Sequence, residues 1–145
     1  MTVKISTGLR QYLAGTGSLR AAFNGACRLS IYAGAEVADA DVAATGATLL
    51  NVILASGNPL EFEAAVAGVV SKATAQTWGS NNLASGTATW FRLELTTDDR
   101  TASTTALRLQ GNIGAVVGDM VMTNPVLVSG APKQIEYFAM TVPAL

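Results

Sequence analysis

The chain has ten acidic and nine basic side chains, one cysteine and three tyrosines among its 145 residues, and no histidine. Without an imidazole, the Ser-His and Cys-His nucleophile arrangements, most zinc sites and the commonest general base are lost together. Carboxylates remain. Asp98-Asp99, and Asp39 with Asp41, offer the oxygen ligands that a hard cation such as calcium takes, but neither has the spacing of a dedicated ligand loop. Glu61, Glu63 and Glu94 could supply a glycosidase-like acid/base pair. Glu61 and Glu63 fall on one strand face about Phe62, where surface ion pairs are the plainer expectation. Cys27 heads an apolar run, as a small core hydrophobe does, and alone it forms no internal disulfide. Gly111 and Gly114 follow one strand-like run and lead into another, so no helix N-terminus waits there for a phosphate. The expectation is no catalytic residue, no cofactor and no metal.

The aromatics Trp78, Trp90, Phe91, Tyr137 and Phe138 could line a carbohydrate or peptide groove, though core and subunit contacts are their commoner use. Arg92 and Arg108 sit inside strand-like runs beside large apolar neighbours and are the charges expected to need partners. A net charge of −1 without a basic block leaves nucleic acid no electrostatic footprint. Half the residues are apolar and only 13% are charged, which points to an exterior partly covered by other subunits, the alternative being a compact monomer with an unusually neutral surface. No apolar run reaches the roughly 18 residues of a membrane span, and no apolar core follows Met1–Lys4 as in a signal peptide. No membrane partner is expected, and synthesis in a cytosol, or in a particle assembled there, is the default.

Ala84–Thr97 is the longest alternating stretch. It sets Thr87, Thr89, Phe91, Leu93 and Leu95 against Ala88, Trp90, Arg92, Glu94 and Thr96, the period of a half-buried central strand. Ala106–Asn112 alternates likewise and is its natural antiparallel partner, joined to it by the polar loop Thr96–Thr105. Cys27–Ala33 and Thr48–Ala55 read as further strands, followed by the turn Ser56-Gly57-Asn58-Pro59. Leu60–Phe62 and Ala64–Ala75 are weaker, and helix competes over Phe62–Val70 because Glu and Ala favour it. Trp78 precedes a turn at Gly79–Asn82, while Met120–Met122, Val126–Val128 and Lys133–Val142 complete the strands. Before them lies the one helical region. Ser6 or Thr7 caps a first helix with Leu9, Tyr12 and Leu13 on one side, and Ser18 caps a second carrying Leu19, Ala22 and Phe23. Asn24-Gly25 ends the second helix as a left-handed cap would. The pattern predicts one domain over 1–145, with a helical arm at 1–25 and a body at 26–145. That body is mainly β, an antiparallel sandwich or jelly roll of about eight strands.

Three stretches carry a family likeness. The first is Gly8-Leu9-Arg10 through Gly17-Ser18-Leu19-Arg20-Ala21-Ala22-Phe23-Asn24-Gly25 into Leu29-Ser30-Ile31-Tyr32-Ala33-Gly34, and the second is Gly86-Thr87-Ala88-Thr89-Trp90-Phe91-Arg92-Leu93. The third is Leu107-Arg108-Leu109-Gln110-Gly111-Asn112-Ile113-Gly114 with the ending Thr141-Val142-Pro143-Ala144. In this order, along nearly the whole chain, they resemble a group of small virion proteins of tailed bacteriophages. The landmarks are structural and none is a catalytic signature, so no functional residue carries over.

The resemblance implies a non-enzymatic virion component, made in the bacterial host cytoplasm, whose partners are the major capsid protein or tail and connector subunits. The first expectation is a homo-oligomeric capsid decoration or cement protein, binding through many individually weak contacts. A tail component is the alternative: a tube, adaptor or fibre-attachment subunit, for which a long exposed hairpin at Leu93–Leu107 would suit. Outside the virion, a carbohydrate-binding module would use Trp78 and Trp90 as stacking platforms, and a hydrolase would use buried carboxylates. Leu9, Tyr12, Leu13, Leu19 and Phe23 are the candidate subunit-interface anchors of the arm. The competing use of the same five is to cap the open end of the chain's own core.

Overall fold

The computed structural model describes residues 3–141. Val142 of the last expected strand, and the Val142–Ala144 part of the ending used for the resemblance, lie outside the described residues, as do Met1 and Thr2. The chain is mainly β. In order it forms β1 (Lys4–Ile5), α1 (Thr7–Gly15), α2 (Leu19–Phe23), β2 (Cys27–Ala33), β3 (Thr48–Ala55), β4 (Val69–Ser71) and β5 (Trp78–Asn81). It continues with β6 (Gly86–Thr87), β7 (Trp90–Leu95), β8 (Arg108–Gly114), β9 (Met120–Val121), β10 (Val126–Leu127), β11 (Pro132–Ile135) and β12 (Ala139–Thr141). Eight of these strands make one sheet in the order β1-β8-β7-β2-β3-β5-β11, with β9 beside β8, and the ribbons β6·β10 and β4·β12 lie apart from it. All pairings are antiparallel except β8·β9. No helix among the described residues is long and apolar enough to cross a membrane.

The two faces of the sheet differ in kind. On one face Leu29, Ile31, Ile53, Phe91, Leu93 and Leu109 meet Leu9 of α1, Leu19 and Phe23 of α2, Leu60, Phe62, and the ribbon residues Val70, Met140 and Leu127 in a single core. Phe138 ties this layer together, lying 5.8 Å from Phe91 edge-on and 5.8 Å from Trp78. The result is sandwich-like, an eight-stranded sheet covered by helices and ribbons. The register Ser30↔Arg92↔Gln110 and Arg28↔Glu94↔Arg108 lines up a polar row across the other face.

The local chemistry accounts for the helices. Ser6 caps α1 by accepting from Leu9 N, and Ser18 caps α2 by accepting from Ala21 N, each satisfying an otherwise orphaned donor. Asn24 and the left-handed Gly25 (φ 72°) end α2. The segment expected as an arm is therefore built into the body, with β1 extending the sheet and both helices closing its core.

Three expectations need correction, and a fourth stretch, left open between strand and helix, is decided. The stretch Ala84–Thr97 is not one strand. It breaks at Ala88-Thr89, where Ala88 N donates to Pro125 O and Thr89 N to Tyr32 O, so β6 pairs with β10 while β7 stays in the main sheet. Lys133–Val142 likewise divides into β11 and β12, and Trp78–Asn81 is strand rather than the approach to a turn. Phe62–Val70 holds no helix. Ala67 (φ 50°) and Gly68 (φ 78°) both take the left-handed conformation, and Val66 and Val69 exchange both backbone hydrogen bonds about them, the geometry of a tight hairpin turn.

Candidate functional site

The polar row on the sheet is buried beneath two loops, 34–46 and 96–107. Arg108 is the hinge of this cover. Its Nε and Nη2 donate to the two oxygens of Asp98 at 2.7 Å each, Nη2 also reaches Thr101 O at 2.6 Å, and Nη1 reaches Ala40 O at 3.2 Å. One guanidinium thus pins both loops, and Ser103 N donating to Asp41 O joins the loops directly. Glu94 is fully buried, with Arg28 donating to its Oε2 at 2.7 Å and Arg100 Nε 3.1 Å away. Arg28 further holds the 96–107 loop through Asp98 O at 2.6 Å and Thr96 O at 3.2 Å. Arg92 donates twice to Gln110 Oε1, at 2.7 and 3.1 Å, and lies 5.5 Å from the Trp90 ring centre. Gln110 in turn donates to Val37 O and Glu36. Tyr32 stacks on Trp90 at 4.3 Å.

The charges in this layer act on one another. Burial works to raise the Asp98 carboxyl, but the hydrogen bonds from Arg108 and from the Arg100 amide outweigh it, and its pKa falls below the ordinary aspartate value. The Asp98 hydrogen bond pushes Arg108 the other way, up. Burial, and then the charge of Arg108, lower Arg92. Tyr32 is raised by burial and by Glu94. Four arginines share Glu94, Asp98 and Gln110 here, which makes the layer rich in cation. Such an arrangement holds loops to a sheet. Glu94 Oε1 is left buried there without a hydrogen-bond partner.

The sequence candidates fall as follows. Leu9, Leu19 and Phe23 are buried in the chain's own core, Tyr12 packs against that core partly buried, and Leu13 is 37% exposed. Three of the five anchors are thus engaged within the molecule, because the helices close the apolar side of the sheet. Trp78 and Trp90 are both 0% exposed, so neither ring has a face for a sugar. Glu63 accepts from Thr74 N at 2.8 Å, Glu61 lies exposed on the other side of Phe62, and Glu94 sits among arginines. Asp41 accepts from Thr7 at the start of α1, Asp39 from Asp41 N, and Asp99 from Thr101. Among the described residues no cluster of ligating side chains could hold a metal ion. Cys27 is buried, and burial pushes its thiol up to about 12. The loop between β7 and β8 is no free hairpin, since Arg28 and Arg108 fold it over the sheet.

Sequence reasoning found the need for partners at Arg92 and Arg108 but not the layer they belong to. Arg28, Glu94 and Arg100 carry no local mark of the layer, because what assembles it is the folding of the 34–46 and 96–107 loops onto the sheet. A groove of about 440 Å³ lies between Asp119–Thr123 and Lys133–Ala139, with the exposed Tyr137 among its lining residues. Comparison with protein-family models, with curated proteins and with solved structures finds no match.

Proposed function

We propose that the chain is a non-enzymatic structural subunit of a bacteriophage particle, a capsid decoration or cement protein that stabilises the head through multivalent contacts. The observation that carries this reading is the pairing of buried charges with exposed apolar side chains. Arg92, Glu94 and Arg108 are wholly buried, whereas Val116, Val117 and Tyr137 are 83%, 78% and 72% exposed. Lys4, Arg28, Arg92, Arg100 and Arg108, five of the nine basic residues, belong to the polar layer or its border. Internal pairing of charge with outward apolar side chains is what a subunit made to be covered needs. The likeness of Gly8–Gly34, Gly86–Leu93 and Leu107–Gly114 to small phage virion proteins supports the same assignment. The major capsid protein, or tail and connector subunits, would then be its partners and the virion its place.

The test is co-sedimentation of the purified chain with capsids assembled without it, alongside light scattering and negative-stain imaging of the chain alone. Saturable binding to the shells, by a discrete dimer or trimer, is the expected result. Rings or growing tubes without shell binding would move the protein to the tail. No binding and no assembly would overturn the reading.

A further inference from the structure

Arg92 is wholly buried, and among the described residues no carboxylate lies within ion-pair distance of it. Its Nε and Nη2 both end on the neutral amide oxygen of Gln110, and its Nη1 is buried without an acceptor. A guanidinium keeps its proton even when buried, so the charge stays and has to be met. The layer has no spare anion to meet it. Four guanidiniums face the carboxylates of Glu94 and Asp98, while Asp41 and Asp99 accept from Thr7 and Thr101. Two further donors beside Arg92 are in the same state. Trp90 Nε1 and Tyr32 Oη are buried without partners, on rings that stack at 4.3 Å, and the Arg92 guanidinium lies 5.5 Å from the Trp90 ring centre. Tyr32 and Trp90 are opposed across β2 and β7, and Ser30 and Arg92 are the next pair on that face. Burial and the Arg108 charge press on Arg92, and among the groups that counter them Tyr32 comes before Glu94 and Asp98.

We infer that Arg92 Nη1, Trp90 Nε1 and Tyr32 Oη hold a small monovalent anion, of which chloride is the common case. The donors select that class. Guanidinium and indole nitrogens only donate, and the phenol has a proton to give. A water would accept from them and leave the charge unmet. An oxyanion of several charges costs more to desolvate, and side chains only 0–2% exposed give it no water to keep. Glu94, whose Oε1 is also unpaired, is held through its other oxygen by Arg28 and Arg100, so it is not the counter-ion of Arg92. Both covering loops are tied to the residues about the site. Gln110, which holds Arg92, donates to Val37 O in the 34–46 loop, and Arg100 of the 96–107 loop donates to Ser30 Oγ at 3.1 Å. The ion is therefore enclosed as the loops close, and its binding favours the closed cover.

Thermal unfolding of the full chain in sodium chloride, bromide and gluconate at matched ionic strength tests this. Chloride and bromide are expected to raise Tm saturably, as a ligand of the folded state does, and gluconate, too large to be enclosed, is not. Tyr32→Phe keeps the ring on Trp90 and loses one donor. It should raise the half-saturating chloride concentration about tenfold or more, as loss of a hydrogen bond to a charged group does. Arg92→Met, if it folds, should abolish the chloride effect altogether. Crystals soaked in bromide and measured at the bromine absorption edge should carry an anomalous peak within hydrogen-bond reach of Arg92 Nη1. Equal midpoints in the three salts, an undiminished chloride effect in Tyr32→Phe, or a water in place of the bromide peak overturns the inference.

Discussion

Arg108 and Asp98 form a pair whose loss has more than local effect, since the same guanidinium fixes Thr101 and Ala40 on opposite loops. Arg108→Ala leaves the Asp98 carboxylate, 4% exposed, without its counter-charge. Breaking a buried pair from one side costs about 3–5 kcal/mol, and urea denaturation should show a loss of that order. The pair also sets an acid limit. The folded-state pKa of Asp98 is depressed. Its contribution to stability is therefore complete above the ordinary aspartate value of about 3.9 and is lost as pH falls below that, through the lowered folded value. Thermal midpoints measured from neutral pH downward should fall less steeply in Asp98→Asn than in the natural chain, from a lower starting stability.

Among the elements, the 66–69 hairpin shows how a single residue opposes its own turn. Ala67 sits at φ 50°, where a Cβ costs roughly 1–2 kcal/mol and asparagine is better tolerated. Ala67→Asn should therefore stabilise by up to about 1 kcal/mol, a rise of roughly 2–4 °C in Tm on a calorimetric scan. The same turn explains a limit of sequence reading. Glu and Ala over 61–67 carry helix propensity, and only the Gly68 dipeptide geometry together with pairing of β4 to β12 decides against it. Where pairing and alternation agree, the bounds are legible: Cys27–Ala33 and Thr48–Ala55 form strands over those residues, and Ser6 and Ser18 cap the helices. Alternation failed at Ala88-Thr89, because a run of the right period cannot show that two partners, Pro125 and Tyr32, draw the backbone apart. It failed differently at Arg92 and Glu94. The apolar neighbours of Arg92 mark it as a charge in need of a partner, but nothing in the period of β7 marks Glu94 beside it, because the loops that cover it are not visible in the strand itself.

At the scale of the whole molecule, the N-terminal helices separate two roles that the sequence left together. Leu9→Ala should cost about 2–5 kcal/mol, since Leu9 is wholly buried in the core, and chemical denaturation will measure it. Leu13→Asp, at a partly exposed site, should leave that stability within about 0.5 kcal/mol. A change in shell binding with Leu13→Asp alone would assign the outer side of α1 to a partner. The edges of the main sheet are treated unequally. The outer side of β8 is closed by β1 at one end, by the Asp119 carboxylate on Asn112 N in the middle and by β9 at the other, whereas β11 has β5 alone. The closure by β1 reaches far along the chain, with Ser6 Oγ accepting from Arg108 N across 102 residues. At translation speeds of ~5–20 residues per second, the first strand leaves the ribosome on the order of 5–20 s before its partner has been made. For that interval Leu9 and Phe23 have no completed sheet to cover, and the nascent chain presents them to whatever chaperone stands at the exit. The domain closes as a latch thrown late, by an early segment waiting for β8.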